Sequence, residues 1–337
     1  MKLTKLIIYN LGVFLALFIL IEIGFKVVNP GYVYYERTYA AKFEEKAIHK
    51  LDTNWVALDD DLGWVCKRKE HLKFYRSDFF ELSYQINKQG FRNAHDFDSI
   101  QASAKKRILL IGDSFLFGIF LQNEETISAQ LQKQLGDGYE VFNLAIPGWG
   151  IDQMYQAYAK YIEQIAPDQV ILFYIDDDIS RTIEALYWGA GSKKAYKIEG
   201  EKLIARKPTD GKLNIIESFF VFSSQIINRL YKIKCFQKAE PLAKAILQKM
   251  IQSEQNHNRK LTAIRFPRIE QIGNDGLHFF DLKPFFVNNQ CSFSDIEKKM
   301  RLLPNYKYAD FYISEDDHPS AKGARYITTV LKGMVID

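Results

Sequence analysis

The sequence predicts an α/β domain built on a parallel sheet and carried behind one N-terminal apolar helix. Three observations predict it. Leu6 to Phe25 forms a 20-residue apolar run. From Lys105 onward, apolar runs of strand length alternate with amphipathic stretches of about ten to fifteen residues, the rhythm of a parallel sheet covered on both faces. The first such run, Arg107-Ile-Leu-Leu-Ile, stops at Gly112-Asp113-Ser114. The carboxyl end of a buried parallel strand is where an open α/β sheet meets its ligands.

Taken in order, the first element is the apolar run. As a helix it reaches about 30 Å, the width of a bilayer core. Lys2 and Lys5 precede it and Lys26 closes it. A cleaved signal peptide is the rival reading. The run is longer than the usual h-region, and only Lys26-Val-Val-Asn-Pro30 follows, without a small-x-small site or a lipobox cysteine. Residues 1–29 are therefore read as a signal anchor in the cytoplasmic membrane, single-pass, with the rest of the chain on the periplasmic side. Glu22, one turn from Lys26, reads as a paired or snorkelling carboxylate near the membrane edge.

Residues 30–104 form a Tyr-rich, charged approach segment ending in Asn87-Lys-Gln-Gly90-Phe91-Arg92, a turn signature. The domain proper is assigned to 105–337. KRILLIG (106–112) reads as a fully buried strand and Glu124–Leu135 as an amphipathic helix. YEVFNLAI (139–146) reads as a second strand, Asp152–Ile165 as a second helix and QVILFYI (169–175) as a third strand. A helical insertion spans about 184–259, with helix-like segments around Phe219–Tyr231 and Pro241–Gln252. Its Phe219, Phe220, Phe222, Ile226, Ile227 and Leu230 read as core, with an acyl or membrane groove as the alternative. The α/β pattern resumes with LTAIRFP (261–267) and FFDLKPFF (279–286), followed by a loop bearing His318 and a closing helix from about Ala321.

Bulk composition narrows the function. Hydrophobic content of 47% and charged content of 26% are ordinary for a globular chain, and the formal charge of +4 is small. No Lys/Arg-rich block accompanies a nucleic-acid motif, so no nucleic-acid partner is expected. Cys66, Cys235 and Cys291 show neither CxxC spacing nor histidines at ligand spacing, so no metal is expected. Gly148-Trp-Gly150 lacks the third glycine of a dinucleotide fingerprint, and Gly189-Ala-Gly191-Ser-Lys193 lacks the Walker spacing.

Serine is a weak nucleophile until a base takes its proton, so Ser114 needs a partner. Of six histidines, only His318 has catalytic company, in Glu315-Asp316-Asp317-His318-Pro319. Developing oxyanion charge needs preorganised donors. The second strand ends in the glycines of Pro147-Gly148-Trp149-Gly150, and the third in Asp176-Asp177-Asp178.

These four blocks, Gly112-Asp113-Ser114, Asn143 with Gly148, the acidic turn at 176–178, and the acid/His318-Pro319 cluster, resemble in order and spacing those of the SGNH/GDSL hydrolase superfamily. The similarity covers about residues 86–337. The Asn87-to-Arg92 turn and the anchor look like bacterial membrane-anchored members, some related to polysaccharide O-acetyl esterases and acetyltransferases. The resemblance implies a three-layer α/β/α, flavodoxin-like fold without a cofactor, with Ser114 as nucleophile and His318 as base. It places the oxyanion hole at Ser114, Gly148 and position 177, where the family has Asn and this chain has Asp177. That carboxyl donates only if burial keeps it protonated; otherwise Ser114 and Gly148 act alone. Asp316, two residues before His318, resembles the Asp-x-His form and is taken as the orienting acid over Glu315, three before. The expected activity is a serine esterase acting on acyl, chiefly O-acetyl, esters of an exported glycan or lipid. The alternatives are an O-acyltransferase and a catalytically impaired glycan-binding or assembly protein.

Overall fold

The computed structural model describes residues 2–28, 56–67, 72–75, 81–100, 104–183, 186–187, 191–200, 202–206, 224–266, 280–313 and 318–335. The chain begins with helix α1, Lys2–Val28. Its stretch Thr4–Val28 has a mean hydropathy of 2.5 and none of it is buried, so it is long and apolar enough to cross a membrane. Glu22 pairs with Lys26 at 3.5 Å, one turn on.

Two antiparallel hairpins follow, β1 (Val56–Asp59) with β2 (Gly63–Cys66), and β3 (Leu72–Tyr75) with β4 (Glu81–Tyr84). The first is closed by Asp59, whose carboxylate accepts from the backbone N–H groups of Asp61 and Leu62. The core sheet then begins with β5 (Lys106–Gly112), followed by the one-turn helix α2 (Ser114–Phe117) and by α3 (Ile127–Leu135). The helix expected from Glu124 starts later. Asn123–Glu125 forms a 3-10 turn, and Thr126 caps α3 by accepting from the Ala129 N–H. Strand β6 (Tyr139–Ala145), helix α4 (Ile151–Ile165), strand β7 (Gln169–Tyr174) and helix α5 (Asp176–Arg181) complete the first half.

An interruption follows. It holds the small pair β8 (Leu186–Tyr187) and β9 (Gly191–Ser192), and the hairpin of β10 (Ala195–Glu199) with β11 (Lys202–Arg206). Next comes the 32-residue helix α6, Gln225–Asn256. The sequence pattern suggested separate helical segments, with Pro241 opening the second. Instead Pro241 lies inside one helix, exposed on its surface, where its missing N–H costs a single backbone bond. Of the residues expected in the core of this insertion, Phe219, Phe220 and Phe222 lie outside the described residues, Ile226 and Ile227 are half-buried, and Leu230 is exposed instead.

Strand β12 (Leu261–Arg265), helix α7 (Lys283–Asn288), strand β13 (Ser292–Asp295) and helix α8 (Ile296–Arg301) resume the alternation. Of the segment expected at 279–286 to continue the sheet, residues 283–286 lie in helix α7 instead. Pro284 sits at its first turn, where a residue without an N–H suits a helix and would break a sheet ladder. The fifth strand is the less apolar Ser292-Phe-Ser-Asp295. Two helices close the chain, α9 (Tyr308–Phe311) and α10 (Ala321–Lys332).

The five core strands are all parallel and lie in the order β13-β12-β7-β5-β6. This is the 2-1-3-4-5 order of flavodoxin-like sheets, with its reversal between β5 and β7. The path from β5 to β6 runs one way along the sheet, and that from β6 to β7 runs the other. Right-handed crossovers therefore place α3 and α4 on opposite faces. Helix α10 packs with α3, and α6 packs with α4 and α5, which completes an α/β/α sandwich. Burial from both sides explains the unbroken apolar runs: Ile108–Ile111 and Val170–Tyr174 are at most 1% exposed.

Candidate active site

The site stands where the strand order reverses. β5 ends at Gly112, and Asp113 caps α2 by accepting from the Phe115 N–H at 3.0 Å. A side chain at Gly112 would press on Leu116 and Phe173 at 3.0–3.1 Å, which keeps this strand-to-helix turn tight. Ser114 opens α2, 7% exposed. Its N–H lies in the first turn of a helix, where backbone donors have no intrahelical acceptor.

His318 reaches Ser114 from 204 residues away, with its Nε2 2.8 Å from the serine Oγ. Its backbone is held from both sides: the Ile313 N–H donates to the His318 carbonyl at 3.0 Å, and Tyr312 and Pro319 form a β-bridge. Ser320 then caps α10, and its own N–H donates to the Phe311 carbonyl at 2.9 Å. The imidazole stands against the Phe115 ring, with centroids 4.8 Å apart, and edge-on to Phe120 at 6.2 Å. Asp316 and Glu315 lie outside the described residues.

Gly148 follows β6 with a φ of +82°, a conformation that favours glycine. Its loop is held by the indole bonds of two tryptophans. Trp64 Nε1 donates to the Pro147 carbonyl at 3.1 Å, and Trp149 Nε1 donates to the Trp64 carbonyl at 3.0 Å. Both rings are buried, so hairpin β1–β2 acts as a buttress under the Gly148 loop. Asn143 plays a different part. It is fully buried, accepts from the Ala145 N–H and donates to Ser128, which makes it a fastener between β6 and α3.

The three aspartates of α5 separate. Asp178 is fully buried, accepts from the Ile175 N–H at 2.9 Å and pairs with Arg181. Asp176 pairs with Arg265 at 3.1 Å, away from the serine side. Asp177 is 40% exposed, with a carboxylate oxygen 3.8 Å from Arg181.

Arg181 was not singled out from the sequence, yet it joins three strand ends. It donates to Asp113 at 3.0 Å, to the Trp149 carbonyl at 3.2 Å and to Asp178. The spacing of Asp178 (i, i+3) and Asp177 (i, i+4) before Arg181 is the local signal that could have found it. Beneath it, buried Lys193 donates to the Arg181 carbonyl at 2.8 Å and to Asp152 at 2.7 Å. Burial pushes the Asp152 carboxyl up in pKa against the pull of Lys193. Arg92 braces the far side of α2. Its guanidinium donates to the carbonyls of Phe117, Gly118 and Leu121 and stacks 4.0 Å from the Tyr84 ring. Burial lowers its pKa to about 10.

No protein-family model matches the chain, and no curated protein matches it. Among solved structures it is similar to an acetyl xylan esterase, AlAXEase, at 19% identity over 68% of this chain and 100% of that one, with a TM-score of 0.42. It is similar to a lipase/acylhydrolase from Enterococcus faecalis at 14% identity, covering 68% and 97% of the two chains, with a TM-score of 0.40. A GDSL-like lipase from Bacteroides thetaiotaomicron VPI-5482 shows 12% identity over 69% and 89%, also at 0.40. At such low identity and TM-score the likeness carries no activity across. What Ser114 and His318 can do has to be read from their own geometry.

Proposed function

We propose that the chain is an SGNH-type serine esterase, anchored by α1 in the cytoplasmic membrane and facing the periplasm. Its substrates are acyl esters, chiefly O-acetyl esters, of an exported glycan or lipid. One observation carries the reading: the 2.8 Å contact of Ser114 Oγ with His318 Nε2 at the carboxyl edge of a doubly wound sheet. His318 takes the hydroxyl proton as Ser114 Oγ bonds to the ester carbonyl carbon. The carbonyl oxygen becomes an oxyanion facing the N–H groups assigned to it, those of Ser114 and Gly148. Collapse expels the alkoxide, which takes the proton from His318 and leaves an acyl-enzyme. Water, activated by the same imidazole, releases the acid.

Asp316 is proposed to hold the tautomer of His318. Asp177 contributes charge near Arg181 rather than an oxyanion hydrogen bond, so the hole has two backbone donors. A missing donor costs on the order of 10²–10³ in rate, which makes this a slow or specialised enzyme. Acyl transfer to a sugar hydroxyl uses the same acyl-enzyme and differs only in the acceptor. Incubation with acetylated envelope glycans tests the proposal. Acetate release or transfer, absent in Ser114→Ala, is expected. Equal turnover by wild type and Ser114→Ala removes the serine from the chemistry.

A further inference from the structure

Helix α6 is two things in one rod. Its second half buries Ala239, Leu242, Ala243, Ile246, Leu247 and Met250 and packs in the domain with α4 and α5. Among the described side chains of its first half, two large apolar ones do the opposite. Leu230 is 61% exposed and Ile233 is 53% exposed. With half-buried Ile226 they follow i, i+4, i+7 spacing, so they share one face over about 10 Å of helix. The same face continues with exposed Gln237 and Pro241, so the apolar stripe ends abruptly.

This stripe lies beside the membrane-spanning candidate. Ser224, the N-cap of α6, donates through its Oγ to Glu22 of α1 at 2.9 Å, and the Ile226 N–H donates to the same carboxylate oxygen at 3.1 Å. The half-buried residues of α1, Phe18, Glu22 and Phe25, are themselves spaced i, i+4, i+7. Helices α1 and α6 are in contact, and Glu22 is the residue of α1 that bonds to α6. Residues 225–239 contain Arg229, Lys232, Lys234 and Lys238 and no acid. Four cations without a carboxylate, beside an exposed apolar stripe, match the charge of an anionic lipid surface.

We infer that the first half of α6 is a second membrane element, seated by Glu22 at the level of the headgroup and acyl boundary, and that its occupant is the anionic bilayer that holds α1. The inference rests on the anchor reading of α1. It goes beyond anchoring, because a rod fixed at both ends sets the domain at a defined height above the lipid instead of leaving it on a tether.

The test uses the full chain in vesicles of phosphatidylcholine and phosphatidylglycerol. An environment-sensitive fluorescent amino acid is placed, one site at a time, at positions 14, 230, 233 and 249. Probes at 230 and 233 are expected to shift to the blue and to be quenched by lipids spin-labelled near the headgroup. The probe at exposed Lys249 should be quenched by aqueous iodide. If 230 and 233 are quenched by iodide as fully as 249, while 14 is quenched only by lipid, the anchor stands and the inference falls. If 14 is also open to iodide, the anchor reading fails and takes the inference with it. A blue shift that needs no lipid and grows with protein concentration assigns the face to a second copy and overturns the inference.

Discussion

Replacing Arg181 by Met removes the cation from between two carboxylates that have no water to fall back on. Asp113 and Asp178 expose 2% and 0% of their side chains, and Arg181 itself 7%. Breaking a buried pair from one side costs about 3–5 kcal/mol, because the stranded charge stays buried. A second route gives a similar figure: protonating one aspartate at pH 7, about three units above its ordinary pKa, costs about 4 kcal/mol. Against a typical stability of about 5–15 kcal/mol, Arg181→Met should be strongly destabilised yet foldable. The pH dependence fixes the cause. In the variant, the native state holds a proton that the unfolded state gives up above about pH 4. Its stability therefore falls as pH rises, and the deficit should shrink toward acid pH. Urea unfolding of wild type and variant between pH 5 and 8, followed by tryptophan fluorescence, measures both quantities. Asp178→Asn in the variant background should recover part of the loss. A deficit under about 1 kcal/mol, or one that does not change with pH, refutes the argument that Arg181 balances these acids.

Three further outcomes follow from single contacts. A Cβ at Gly323 would sit 2.0 Å from the Phe311 carbonyl, so Gly323→Ala must push α10 off the His318 loop. It should cost about 1–3 kcal/mol in thermal unfolding and lower ester turnover, whereas an unchanged melting temperature contradicts the packing described. Trp64→Phe keeps the ring but loses the indole bond to the Pro147 carbonyl. It should cost about 1 kcal/mol and reduce kcat more than KM, and a change confined to KM contradicts a buttressing role for hairpin β1–β2. Cys66 is 1% exposed and burial pushes its thiol pKa far up, so it should resist a thiol reagent until the chain unfolds. Rapid native-state labelling mapped to Cys66 would show that the hairpin opens.

Ser114 and His318 were legible because each stands at a chemical discontinuity. Ser114 ends an apolar strand, and His318 sits among acids just before a helix cap. The core strands at 106–112, 139–145, 169–174 and 261–265 were equally plain, since burial on both faces leaves unbroken apolar runs. Strand β13 was not, because Ser292-Phe-Ser-Asp295 is four residues long with a single apolar side chain. Pro241 pointed to a helix start, but an exposed position on a long, well-packed helix tolerated it. The bond from Trp149 to Trp64 joins residues 85 apart, and Lys193 reaches Asp152 across 41. Neither pairing leaves a local pattern to read. Arg181 did leave one, in its spacing from Asp177 and Asp178.

The most direct test of the central claim is covalent capture of the serine. Folded wild-type protein treated with a fluorophosphonate should gain one adduct, mapped by peptide mass spectrometry to Ser114. Labelling should be abolished in Ser114→Ala and slowed by at least about a hundredfold in His318→Ala, the usual worth of a general base. An adduct elsewhere, or equal labelling of wild type and His318→Ala, would mean that the 2.8 Å contact between Ser114 and His318 does not activate the hydroxyl.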